Sequence, residues 1–282
     1  MTRIAYVNGQ YLHHSLAGLP IEDRGTQFAD AAYEVVAVRG GRLCHLDQHL
    51  DRLTYSLSEL AIAWPVPRRV LPHILAEVVR RNLLRDGVAY IQVSRGVAHR
   101  NHAFPADTQP SLVVSAWRQP APPPALLEQG ASVVTVPDQR WKRPDIKTVG
   151  LLANVLARQA AKEAGAWEAW LVDEARGVVT EGTATNAFLV DGQGRVVTHP
   201  ADRHILGGIT RANLLKLAAE AGIAVIERPF TVAEALSAAE AFASGTTAMV
   251  LPVTRIDGRQ VGSGHPGPVT LRLRALYQGL RP

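Results

Sequence analysis

Residues 145–157 read DIKTVGLLANVLA, a lysine set between Ile146 and Thr148 and followed by an apolar run that gives it a partly desolvated setting. Lysine is scarce here: Lys142, Lys147, Lys162 and Lys216 are the whole complement, and arginine carries almost all the positive charge. Arginine stays charged and cannot serve as an amine nucleophile, whereas a lysine that sheds its proton can attack an aldehyde and form an imine. Lys162 and Lys216 fall on the polar sides of amphipathic stretches, and Lys142 sits among charged and bulky neighbours in RWKRPD (140–145), so these three read as surface residues. Lys147 is the candidate for amine chemistry, and composition alone leaves that role level with an ordinary one.

Upstream, QPAPPP at 119–124 holds four prolines, which fix φ and offer no backbone donor, so the run suits a semi-rigid linker and marks a domain boundary. Residues 1–118 form the first domain. Asn8-Gly9 between alternating apolar residues in IAYVNGQYL (4–12) predicts a tight hairpin, and Gly40-Gly41 separates EVVAV from RLCHL in the same way. Leu46, Leu50, Leu53, Leu57 and Leu60 share one helical face between His45 and Ile62, and a second helix is expected over 67–84. Two strands, VAYIQVSRG and SLVVSAW, flank a polar loop from His99 to Pro110. Residues 125–282 form the second domain, with strands at ASVVTV, EAWLVD, GVVT, NAFLVD, RVVTH and AVIERPF and helices over 151–164, 210–221, 231–239 and 269–280. Thr231 and Glu234 stand at capping-box spacing. The class is α+β, without an internal repeat.

The 282 residues are 47% hydrophobic and 20% charged, enough to bury a sizeable core and unlike a disordered chain. The apolar stretches fall well short of the roughly 20 residues that span a bilayer. The start, MTRIAYVNGQYLHH, reads as a strand pair and lacks the pattern of a signal peptide, so a soluble cytoplasmic protein is expected. Cys44 is the single cysteine and can form neither an intrachain disulfide nor a thiolate cluster. The net charge of +5 does not imply a nucleic-acid partner, because Arg68, Arg69, Arg80, Arg81 and Arg85 alternate with apolar residues at helical spacing and read as a solvated face. DGQGRV (191–196) lacks the third glycine of a dinucleotide fingerprint and reads as a hairpin turn. His45 and His49 read as a helix-surface pair rather than metal ligands, and no metal is expected. The glycines of ILGGITRAN (205–213) open a helix whose first N–H groups could hold a phosphate, although an ordinary glycine turn fits as well.

Seven stretches together resemble the D-amino-acid aminotransferases, members of the fold-type IV pyridoxal-phosphate (PLP) enzymes. They are EDRGTQFADAAYEVV (22–36), HLDRL (49–53), RGVAHRNHAFP (95–105), DIKTVGLLANVLA (145–157), TEGTATN (180–186), LGGITR (206–211) and SGTTA (244–248), in the family's order. The resemblance implies a smaller N-terminal α/β domain and a larger C-terminal domain with a β-barrel-like core. It implies PLP as cofactor, held by Lys147 as a Schiff base, with Glu181 against the pyridine nitrogen to keep it cationic. Arg52, the backbone at Ile209 and Thr210, and Thr246 would take the phosphate, with Leu206 beside the cofactor. For Arg52 the residues alone favour a helix-surface pair with Asp51 or Asp47.

Tyr33, Arg100 and His102 match the residues with which such enzymes grip the substrate carboxylate, and Thr247 joins them. An arginine can hold a carboxylate by two parallel hydrogen bonds and so fix which face of Cα meets Lys147. The implied reaction is a ping-pong exchange between a D-amino acid such as D-alanine or D-glutamate and a 2-oxo acid such as pyruvate or 2-oxoglutarate. The family also implies a homodimer, in which the Arg100 loop reaches the neighbouring subunit's site. Aminodeoxychorismate lyase and branched-chain or (R)-amine transaminases share the fold and are the alternatives. Thr26, Gly245 and Met249 depart from the family pattern: a tyrosine, a serine and a polar residue are usual there.

Overall fold

The computed structural model describes residues 3–280. It divides into two compact units, one running to Pro120 and including Ile146–Gly150, the other comprising Ala121–Asp145 and the chain from Leu151 onward.

The first unit contains strands Ile4–Val7 (β1) and Gln10–His13 (β2), helix Arg24–Phe28 (α1), strands Ala31–Arg39 (β3) and Arg42–Leu43 (β4), helices Leu46–Glu59 (α2) and Leu71–Arg81 (α3), and strands Gly87–Ser94 (β5) and Ser111–Trp117 (β6). The strands form one antiparallel sheet in the order β2-β1-β6-β5-β3-β4. Asn8 and Gly9, with φ of 44° and 97°, supply the left-handed pair that the β1–β2 turn needs. The apolar stripes of α2 and α3, among them Leu50, Leu53, Leu57, Leu71, Leu75 and Val78, pack on Val36, Ile91, Val93, Leu112 and Val114 of the sheet. Each such side chain contributes on the order of 2 kcal/mol by leaving water. The second predicted helix opens as a single 3-10 turn at Arg68–Val70, and Pro72, lacking an N–H, sits in the first turn of α3.

Residues 146–149 extend this sheet along the edge of β3. Thr148 bridges Ala32 in antiparallel sense, the Tyr33 N–H donates to the Lys147 carbonyl at 2.9 Å, and the Val149 N–H donates to the Ala31 carbonyl at 3.1 Å. Lys147 therefore stands opposite Tyr33, with both side chains on one face.

The second unit holds Pro124–Gln129 (α4), Ala131–Pro137 (β7), Leu152–Glu163 (α5), Glu168–Asp173 (β8), Val178–Gly182 (β9), Asn186–Val190 (β10), Val196–Thr198 (β11), Ile209–Glu220 (α6), Val225–Glu227 (β12), Phe230–Thr231 (β13), Val232–Ser237 (α7), Glu240–Gly245 (β14), Met249–Ile256 (β15), Arg259–Gln260 (β16) and Pro268–Gly279 (α8). Its ten strands form a mixed sheet along the path β12-β11-β10-β14-β15-β7-β8-β9-β13, with β16 on β15. β9 and β10 lie five steps apart on that path, yet only Thr183–Thr185 joins them, and the Gly182 N–H donates to the Thr185 carbonyl at 2.7 Å. The sheet can meet both conditions only by curling back on itself, which is the barrel-like core expected. Trp170, Val179, Phe230 and Val253 fill its interior, while α6 and α8 cover Phe188 and Phe242, whose rings stack at 4.5 Å. The Thr231–Glu234 capping box is present at the start of α7. Among the described residues no helix is long and apolar enough to cross a membrane.

Candidate active site

In the first unit the Lys147 Nζ lies 3.3 Å from the Tyr33 hydroxyl and 4.3 Å from the centre of its ring. The lysine is half-buried, and its backbone N–H donates to Ser56 Oγ on α2 at 3.2 Å. The pairing with β3 thus fixes the Cα from which the lysine stem reaches the tyrosine. Lys142, Lys162 and Lys216 are exposed, as expected.

On the neighbouring position of β3, buried Glu34 faces α2. Arg52 grips its carboxylate with a fork, Nε to Oε1 at 2.8 Å and an Nη to Oε2 at 2.9 Å, and His49 Nδ1 meets Oε2 at 2.7 Å. Two readings of the residues alone are corrected here. Arg52 forks onto the Glu34 carboxylate of β3, and His49 is buried rather than one of a surface pair. The reason is long-range: β3 packs on α2 and offers a carboxylate that no helical spacing reveals. Burial alone would raise the Glu34 carboxyl, but the charge and hydrogen bonds of Arg52, with those of His49, hold it down at about 2. Arg100 and His102 lie together on the exposed β5–β6 loop, both against Phe28: the Arg100 guanidinium is 4.6 Å from that ring's centre and the His102 ring 5.3 Å.

The second unit builds a carboxylate site around Glu181 at the end of β9. Arg140 and the Leu206 N–H (3.0 Å) donate to Oε1, and Asn186 Nδ2 donates to Oε2 at 3.0 Å. Arg140 is itself partly buried, forked onto Asp138, and donates to the His204 carbonyl at 3.3 Å. Burial would lower its pKa, but Asp138 and Glu181 raise it, so the cation is permanent. The Thr183–Thr185 turn is pinned from below by buried Glu168, which accepts from both threonine hydroxyls. Sequence reasoning singled out Glu181 but missed Arg140 and Asn186. Asn186 closes the same TEGTATN motif and could have been flagged there, whereas nothing near Arg140 distinguishes it from other arginines.

The start of α6 fits a phosphate. Its N-cap is Gly208, and no side chain caps the first turn, which leaves the N–H groups from Ile209 and Thr210 onward for an anion. Gly208 is required by its neighbour: a Cβ there would lie 2.0 Å from Asn186 Oδ1. Asn186 Nδ2 also donates to the Leu206 carbonyl at 2.9 Å, so one amide ties the LGGITR loop to Glu181. Thr246 and Thr247 form the β14–β15 turn, the first half-buried and the second exposed. Gly245 before them sits close under the Ala184 carbonyl, 3.2 Å from where a Cβ would be. Ser244, one residue earlier, has a buried hydroxyl without a hydrogen-bond partner.

Known proteins share this sequence and fold. The sequence profile of the amino-transferase class IV family matches residues 31–256. The D-alanine aminotransferase of Bacillus licheniformis is 42% identical over 272 residues, covering 96% of this chain and 94% of that protein. The Staphylococcus haemolyticus D-alanine aminotransferase is 36% identical over 97% of this chain and 96% of its own length. Among solved structures, the branched-chain amino acid aminotransferase of Escherichia coli superposes with a TM-score of 0.92 at 26% identity, covering 99% of this chain and 95% of that one. The 4-amino-4-deoxychorismate lyase of Pseudomonas aeruginosa does so with a TM-score of 0.84 at 29% identity over 98% and 99%. A lysine fixed beside a tyrosine, a carboxylate held by three donors and an uncapped helix start thus stand within a profile that spans most of the sequence, and the chain belongs to the class IV aminotransferases.

Proposed function

We propose that this protein is a PLP-dependent D-amino-acid aminotransferase that exchanges an amino group between a D-amino acid and a 2-oxo acid. The observation that carries the reading is Lys147 with its amine set against the Tyr33 hydroxyl by main-chain pairing. The 42% identity to a D-alanine aminotransferase supports the choice of substrate class. The bound cofactor supplies the electron sink for breaking the substrate Cα–H bond.

The protein's own residues do the rest. Lys147 would hold the cofactor through Nζ, and once the substrate's amine has displaced it, the freed Nζ would carry the proton at Cα. Glu181, paired with Arg140 and oriented by Asn186 and the Leu206 N–H, would accept from the pyridine N–H. Arg52, steadied by Glu34, binds the phosphate together with the backbone of Ile209 and Thr210 and the Thr246 hydroxyl. Tyr33, Arg100, His102 and Thr247 receive the substrate carboxylate. We assign residues 1–118 and 125–282 to the two domains, with 119–124 as linker and with Lys147 working on the sheet of the first. A homodimer with shared active sites fits the exposed apolar face of α5, where Leu152, Val155 and Leu156 are 72%, 59% and 56% accessible. The free, buried Cys44 suits a reducing cytoplasm.

An amino-donor panel tests the reading. The holoenzyme should lose its cofactor absorbance on D-alanine or D-glutamate and regain it on pyruvate or 2-oxoglutarate. A response to L-leucine or an (R)-amine but to no D-amino acid overturns it in favour of the related transaminases. Release of pyruvate and 4-aminobenzoate from aminodeoxychorismate without an acceptor overturns it in favour of the lyase.

A further inference from the structure

The EDRG stretch (22–25) has no role in the chemistry above, yet it holds two buried charged residues, Asp23 and Arg24. Both are directed at the loop between Ser94 and Ser111 that carries Arg100 and His102. That loop has no strand or helix of its own, and loops longer than about 12–15 residues of that kind need holding from outside. Asp23 fastens its stems: Oδ2 accepts from Ser94 Oγ at 2.7 Å and from Ser111 Oγ at 2.8 Å. Arg24 reaches its tip. One Nη donates to the Asn101 carbonyl at 2.6 Å and the Ala103 carbonyl at 3.4 Å, and the other to the His102 carbonyl at 3.4 Å. The Arg24 Nε is anchored on Asp30 Oδ2 at 2.8 Å, and its guanidinium lies 4.8 Å from the centre of the Phe28 ring that also meets Arg100 and His102. Asp30 also takes a fork from Arg95, whose guanidinium lies 3.6 Å from the centre of the Phe104 ring, at the far side of the same loop.

We infer that Arg24 is a positioning residue for substrate recognition: by holding three successive carbonyls of 101–103 it sets the backbone from which Arg100 and His102 grip the carboxylate. The inference rests on the assignment of those two residues to the carboxylate. A planar fork with a fixed anchor is what this task requires, because only a guanidinium can bond Asp30 by Nε while two further nitrogens reach separate carbonyls. The loop is solvent-exposed, so without Arg24 its tip is free to sample other conformations. Binding of the carboxylate would then have to order it each time.

The test compares wild type, Arg24→Met and Arg24→Lys as holoenzymes, with D-alanine and with D-alaninamide, which carries the same amine but no carboxylate. In Arg24→Met we expect KM for D-alanine and for the 2-oxo acid to rise about tenfold or more, with kcat within about threefold. The rate of cofactor bleaching by D-alaninamide should stay at the wild-type value. Arg24→Lys keeps the charge and stem but not the fork, and should fall between the two; it carries the same comparison if Arg24→Met does not fold. An unchanged KM, or an equal loss with D-alanine and D-alaninamide, overturns the inference. Wild-type enzyme inert to D-alanine would instead overturn the proposed function, so the two failures are distinct.

Discussion

Tyr33 of β3 and Lys147 of the extended segment bridged to it stand opposite each other, with the lysine amine 3.3 Å from the tyrosine hydroxyl. The two residues are 114 positions apart. Their relation is set by main-chain hydrogen bonds on either side, so substitutions of the lysine side chain leave its strand in place.

Lys147→Arg keeps a positive charge beside Tyr33 but cannot form an imine. Turnover should fall by at least about a thousandfold. Gel filtration should strip the cofactor that wild type retains, and the absorbance of the eluted protein measures this.

Arg140→Met removes the cation between Asp138 and Glu181 and leaves buried Glu181 and partly buried Asp138 without it. Breaking such a pair costs about 3–5 kcal/mol. The melting temperature should fall by several degrees, and cofactor affinity should drop, read by titrating the apoprotein with PLP. Asn186→Ala, which frees only one oxygen of Glu181, should lower affinity less.

Gly208→Ala tests the approach of the LGGITR loop to Asn186. The added methyl meets Asn186 Oδ1 at 2.0 Å, so the amide must leave Glu181 or the start of α6 must move. Either outcome weakens cofactor binding, and the effect should exceed that of Gly207→Ala, where a Cβ meets nothing within 4 Å.

Acid should act through Glu34. Its carboxyl titrates at about 2 in the folded protein, against an ordinary 4.5. A depressed carboxylate contributes stability at pH above its unfolded value, and that contribution is lost as pH falls from about 4.5 through 2. The difference is on the order of 3 kcal/mol. Melting temperatures from pH 6 to pH 2 should therefore fall more steeply in wild type than in Glu34→Gln, although the variant starts lower because Arg52 has lost half its fork.

Local patterning carried much of the fold into view. The leucine stripe of α2, the Asn8-Gly9 turn and the Thr231–Glu234 capping box are each written within one stretch of chain, and each forms as read. Lys147 and Glu181 were legible through their motifs. What was not legible depends on pairings between distant segments. Glu34 is one residue from Tyr33 in β3, yet nothing in EVVAV says that it faces α2 and claims Arg52 and His49. Arg140 stands in a charged loop and acquires meaning only when β9 brings Glu181 to it. Met249, noted only as a departure from the family pattern, turns out to close the β14–β15 turn with φ at +54°, a left-handed conformation that glycine adopts more readily. Met249→Gly should therefore raise the melting temperature modestly.

The extended segment 146–149 lies beyond the proline run in sequence but is stitched by a β-bridge and main-chain hydrogen bonds onto the sheet that precedes it. The two halves of this polypeptide are thus not interchangeable modules. A recombination or fusion joint at 119–124 would supply the first sheet with a foreign edge strand, and the incoming lysine would face a tyrosine it had not evolved beside.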